Sequence, residues 1–164
     1  MTAQRLVVVL AAGAAALAVA PAASAASFGD ALWATVNRCD PPEAPGAVGV
    51  RVAVPARPGG GAQWVRVRLQ FFDGEARAWR RVRSGGDSGW RRLGRGDGEV
   101  QGGTTFTFPL PDAGRRLVLR GLVDVEWRKR RRAVERRRLR TTAGHADAAD
   151  PALQISRRSC EIRR

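Results

Sequence analysis

Gly86-Asp87-Ser88-Gly89 spells the nucleophile signature of chymotrypsin-like serine proteases. Acyl transfer of that kind needs a histidine to take the serine proton and a buried aspartate to orient it. The chain has one histidine, His145, and it follows the serine instead of preceding it. Trp90 stands where that signature continues with glycine. A nucleophile elbow would need a residue between the serine and the second glycine, and none is there. Gly85 to Gly89 therefore reads as a β-turn. His145, Asp147 and Asp150 share a loop and could offer ligands to a metal, but one imidazole with two loop carboxylates reads as solvated polar punctuation. Arg95-Gly96-Asp97 is an adhesion tripeptide flanked by glycines, too short to carry meaning without its context. No carboxylate pair is singled out by spacing. The expectation is no catalytic residue, no metal and no cofactor.

Cationic chemistry is better represented. The chain has 164 residues, with 29 Lys+Arg against 15 Asp+Glu and a net charge of +14. Lys129 is the only lysine, tyrosine is absent and Asn37 is the only asparagine. That is the coding signature of a GC-rich genome, so part of the arginine excess is compositional. Bias alone should spread arginine evenly, yet residues 115–140 hold 12 basic side chains and three acidic ones. Arg128, Lys129, Arg130, Arg131 and Arg132 run together, and Arg136, Arg137 and Arg138 follow. Guanidinium groups pair bidentately with phosphate or carboxylate, which suits anionic wall polymers, acidic lipids or nucleic acid alike. The competing reading is a solvated edge whose arginines discourage sheet-to-sheet pairing. Trp64 lies on the arginine side of its segment, exposed or stacked on a guanidinium, and is the aromatic contact candidate. Trp33 and Trp127 lie on apolar faces and are expected in the core.

Residues 1–25 have the pattern of a secretory signal peptide. Arg5 gives a short positive region, Leu6 to Val19 an uncharged stretch, and Ala23-Ser24-Ala25 a small-x-small cleavage site. The alternative is an uncleaved N-terminal anchor. Residues 26–164 then form one domain with no membrane span, outside the cell or associated with its wall. Cys39 and Cys160 are the only cysteines. In an oxidising compartment one disulfide is their simplest use, with two buried thiols or a metal pair as alternatives.

The elements that must position these residues repeat with period two. Val48, Val50, Val52 and Val54 alternate with smaller or polar residues, as do Val65, Val67, Leu69 and Phe71. Phe106 and Phe108 alternate with threonines, and Leu117, Leu119, Val123, Val125 and Trp127 share one face. Each run is bounded by glycine or proline, the strand signature. Weaker strands are expected at Ala31–Val36, Ala78–Arg83, Ala133–Thr141 and Leu153–Cys160. Trp127 to Arg140 has good helix formers but no continuous apolar stripe, so it is expected to be a hairpin with Lys129 to Arg132 at its tip. Thr142 to Ala152 reads as a loop. These elements predict an all-β, antiparallel sandwich.

The blocks Leu32-Trp33-Ala34-Thr35-Val36-Asn37-Arg38-Cys39-Asp40, Val48-Gly49-Val50-Arg51, Leu69-Gln70-Phe71-Phe72 and Leu119 to Trp127, with the terminal Cys160, carry a resemblance. They resemble small uncharacterised secreted proteins of high-GC Gram-positive bacteria. The resemblance implies an immunoglobulin-like β-sandwich, although the Cys39–Cys160 spacing is wider than the intersheet bridge of antibody domains. It carries over no functional residue. The function expected is an exported, non-enzymatic module that binds an anionic surface such as cell-wall polymer. An accessory domain without anion binding, or an extracellular hydrolase, are the alternatives.

Overall fold

Alternating apolar and polar residues favour strands because each strand sends successive side chains to opposite faces. The computed structural model describes residues 31–95 and 97–164. Among them, in chain order, stand β1 (Trp33–Cys39), β2 (Ala47–Val54), β3 (Ala62–Asp73), β4 (Ala78–Arg81), β5 (Arg91–Arg95), β6 (Val100–Thr107), β7 (Arg116–Lys129), β8 (Arg132–Arg140) and β9 (Cys160–Arg163). They form two antiparallel sheets. The smaller has the order β1-β2-β6. The larger is centred on β3 and β7, paired from Ala62↔Arg128 to Phe71↔Leu119. One after the other, β4 and β5 pair with the second edge of β3, and β9 and β8 with the second edge of β7. The fold is all-β, as expected.

Val48, Val50, Val52 and Val54 of β2 are fully buried and share one core with Val65, Val67, Leu69, Leu119, Val123, Val125 and Trp127 of the larger sheet. Each such side chain contributes roughly 1.5–3 kcal/mol on burial, so this stripe dominates the stability. The indole N–H of buried Trp127 donates to the Pro55 carbonyl at 3.0 Å, so its one polar atom is satisfied. Cys39 at the end of β1 and Cys160 at the start of β9 form the expected disulfide, which joins the two sheets. Gly46 (φ +76°) turns the chain into β2, and a Cβ there would stand 2.2 Å from the Phe108 carbonyl oxygen.

Several expectations need correction. Leu153–Cys160 is not a strand: Pro151–Leu153 is a short 3-10 turn, and the terminal strand is Cys160–Arg163. Ahead of Cys160, only Arg157 in that stretch pairs in β fashion, exchanging two backbone hydrogen bonds with Val36 at 2.9 and 3.0 Å. That pair covers the outer edge of β1, where unsatisfied N–H and C=O groups would invite another chain. Trp33 is only partly buried and stacks on His145, with ring centroids 4.6 Å apart. β5 was not among the expected strands, since arginines occupy most of it and leave no apolar alternation. The segment 1–25 read as a signal peptide lies outside the described residues, as does Gly96 of the adhesion tripeptide. Among the described residues no helix is long and apolar enough to cross a membrane.

Candidate functional site

The basic segment folds as a two-residue hairpin. Lys129 pairs with Arg132, leaving Arg130 and Arg131 as the connection, both in the left-handed region at φ +45° and +70°. Register then decides which arginines find partners. On the outer face of the larger sheet, Arg66 lies opposite Asp124, which lies opposite Arg138. Trp64 lies opposite Glu126, which lies opposite Arg136. From this grid comes a ladder in which each of three carboxylates is held by two guanidiniums.

Asp87 takes both ends of Arg66, at 2.8 and 2.6 Å, and Arg81 at 2.7 Å. Asp124 is shared by Arg68 and Arg138, the latter at 2.6 Å. Buried Glu126 is shared by Arg128 at 2.6 Å and Arg136 at 2.8 Å. The guanidinium of Arg128 lies over Trp64 at 4.4 Å and over Trp90 at 4.7 Å, so both rings press on a cation already paired below. The stacking expected of Trp64 is thus with Arg128. On the inner side of the hairpin's edge, Glu135 pairs with Arg57 and Arg137, each at 2.6 Å.

The candidate binding residues therefore divide. Arg128, Arg136, Arg137 and Arg138 neutralise carboxylates of their own sheet. Lys129, Arg130, Arg131 and Arg132 are exposed and form no ion pair among the described residues. Beside them, at the end of β5, Arg92 and Arg95 are likewise exposed and unpaired. Trp64, Arg92, Arg95, Arg128, Arg130 and Arg131 line a depression of about 530 Å³. A second depression, about 390 Å³, is lined by Arg95, Lys129, Arg130 and Gly59 to Gly61, with exposed Asp97 as its one carboxylate. Sequence reasoning missed Arg92 and Arg95, because only the β3–β5 pairing of Trp64 with Arg92 brings them to the hairpin. Exposed arginines within a run with weak alternation give no strand signal.

The motifs read for catalysis have structural partners. Ser88 Oγ accepts the Val67 backbone N–H at 2.9 Å and donates to the Gly89 carbonyl at 2.8 Å. Its neighbour Asp87 bridges to Arg68 of β3 in β fashion, filling the gap between β4 and β5. The Arg66 hydrogen bonds, helped by the Gly89 N–H and the Arg81 charge, hold the Asp87 carboxyl at about 2, against a smaller opposing effect of burial. His145 lies elsewhere, bonded through Nε2 to Thr142 Oγ1 at 3.0 Å, and burial lowers its pKa. Asp147 and Asp150 each accept a backbone N–H two residues on, at 2.9 and 2.8 Å, as turn residues do. Among the described residues no three His, Cys, Asp or Glu side chains are grouped to hold a metal.

No protein family, curated protein or solved structure matches this chain.

Proposed function

We propose that this protein is an exported, non-catalytic module that binds an anionic polymer of the cell envelope at the hairpin tip and the adjoining end of β5. The observation that carries this reading is the group Arg92, Arg95, Lys129, Arg130, Arg131 and Arg132: six cations in no ion pair among the described residues, gathered around the Trp64–Arg128 stack with Asp97 the one carboxylate beside them. Along the middle of the same face each of three carboxylates holds two arginines; the tip cations join no such pair. Like charges in proximity raise the free energy of the fold, and a polyanion offsets that repulsion while releasing its own counterions. The Cys39–Cys160 disulfide supports an oxidising compartment, and with it export. An immunoglobulin-like relationship to small secreted proteins of high-GC Gram-positive bacteria is consistent with the two-sheet architecture.

The carboxylate ladder favours a second reading, an accessory domain whose arginines are consumed within its own surface. Retention on immobilised long-chain polyphosphate separates the two. The tip reading expects retention at low salt that weakens steeply as salt rises. Replacing Arg130, Arg131 and Arg132 with serine should lower both the affinity and the salt slope while leaving the ladder and the core intact. Unchanged affinity in the folded triple variant, or no retention of the parent protein, would leave the accessory reading standing.

A further inference from the structure

A second group of unpaired arginines lies at the other end of the same face, where the edge of β7 passes from β8 to β9. Thr141 closes the end of β8 onto β7: its N–H donates to the Gly121 carbonyl and its hydroxyl accepts the Gly121 N–H, both at 3.1 Å. A notch of about 750 Å³ opens there, walled by Trp79, Arg120, Arg140, Arg158, Thr142 and Ser159, with Arg138 at its rim. Arg138 is paired with Asp124. Arg120, Arg140 and Arg158 have no carboxylate partner among the described residues, and no carboxylate lines the notch.

The notch is built rather than loosely charged. The Arg120 guanidinium lies over the Trp79 ring at 4.1 Å, and its Nε donates to Gln70 at 2.9 Å. Those two contacts fix its plane and leave its terminal nitrogens unbonded within the protein. Burial, and then the charge of Arg140, pull the Arg120 pKa below its ordinary value, so the protein bears a cost for placing this cation here.

We infer that the notch of Arg120, Arg140 and Arg158 is a phosphate-binding site, separate from the hairpin tip. Three guanidiniums around one notch match a tetrahedral dianion, whose oxygens accept several charge-assisted hydrogen bonds at once. Eight strand steps along β8 separate Arg132 at the tip from Arg140 at the notch, roughly 27 Å at the usual rise. A short phosphate therefore reaches only one of the two regions. The phosphoryl group could be free orthophosphate or one carried on an envelope polymer.

Calorimetric titration of the full chain with inorganic phosphate, and separately with long-chain polyphosphate, tests this. The parent protein should bind inorganic phosphate, with sulfate competing. Arg140→Ser/Arg158→Ser should weaken that binding at least tenfold, and Arg130→Ser/Arg131→Ser/Arg132→Ser should leave it unchanged. Both notch substitutions are at exposed residues, and retained disulfide and tryptophan emission would verify the fold. A second readout is the rise in melting temperature with phosphate, expected in the parent and the tip variant and lost in the notch variant. If inorganic phosphate is the ligand, polyphosphate should compete for the notch without binding it more tightly. Tighter polyphosphate binding, reduced in each variant, would assign the group to a polymer that spans both regions. Equal phosphate affinity in the notch variant and the parent, or no binding by the parent, would overturn the site, whatever the tip variant does with polyphosphate.

Discussion

Replacing Arg130 with asparagine and Arg131 with glycine should make the protein more stable and a poorer polyanion binder. Both arginines sit at positive φ, +45° and +70°, in a two-residue connection between Lys129 and Arg132. Hairpins of this type favour asparagine followed by glycine, because an L side chain in the left-handed region costs about 1–2 kcal/mol. Asparagine tolerates the first position and glycine the second without that cost. Glycine also loosens the unfolded chain, which takes back up to about 1 kcal/mol. The substitution removes two like charges from beside Lys129 and Arg132 as well. The net gain expected is about 1 kcal/mol, or a rise in Tm of roughly 3–5 °C for a domain of this size. Binding should move the other way. Two lost phosphate contacts reduce the log-affinity against log-salt slope by roughly 1.8, on the scale set by duplex DNA. Thermal unfolding followed by tryptophan emission gives the first quantity, and polyphosphate affinity across a salt series the second. A variant less stable than the parent would refute the reasoning about backbone strain. An unchanged salt slope would refute the assignment of the tip arginines to binding.

Replacing Cys39 and Cys160 with serine together should lower stability by about 5 kcal/mol, since the bond closes a sequence separation of 121 residues; urea unfolding of the oxidised parent and the variant measures it. Acid should destabilise in two stages. The His145 pKa is lowered by burial, so the unfolded chain takes up its proton first, and stability should begin to fall as pH drops through the ordinary histidine range near 6.5. Asp87, held at about 2 against an ordinary 3.8, contributes stability above pH 4 that is lost as pH falls between those values. Solvent screening at this partly exposed site limits its share to about 1 kcal/mol. Asp40, bonded by Arg164, and Asp73, bonded by the Ala76 N–H and Arg80, are lowered in the same sense. Urea midpoints from pH 8 to pH 2 for the parent, His145→Gln and Asp87→Asn would show whether each removes its own stage; a flat profile in the parent would refute both.

The period-two alternation of Val48 to Val54, Val65 to Phe71 and Leu117 to Trp127 determined by itself which faces are buried. A strand has only two faces, and one set of side chains on each run is apolar. The Cys39–Cys160 bond followed from two cysteines and an expected oxidising environment, and the hairpin tip from a polar interruption between two strand patterns. What an arginine does was beyond that kind of reading. Arg130 and Arg138 are the same residue type in the same basic run, yet one projects from a turn while the other pairs with Asp124. The difference lies in register, because β3, β7 and β8 must pair before Arg66, Asp124 and Arg138 form a row. Trp79, Arg120, Arg140 and Arg158 likewise come from four places in the chain and meet only where β8 ends and β9 begins. Local pattern sets which side of a strand a charge occupies. Only the pairing of distant strands sets whether a carboxylate lies within reach of it.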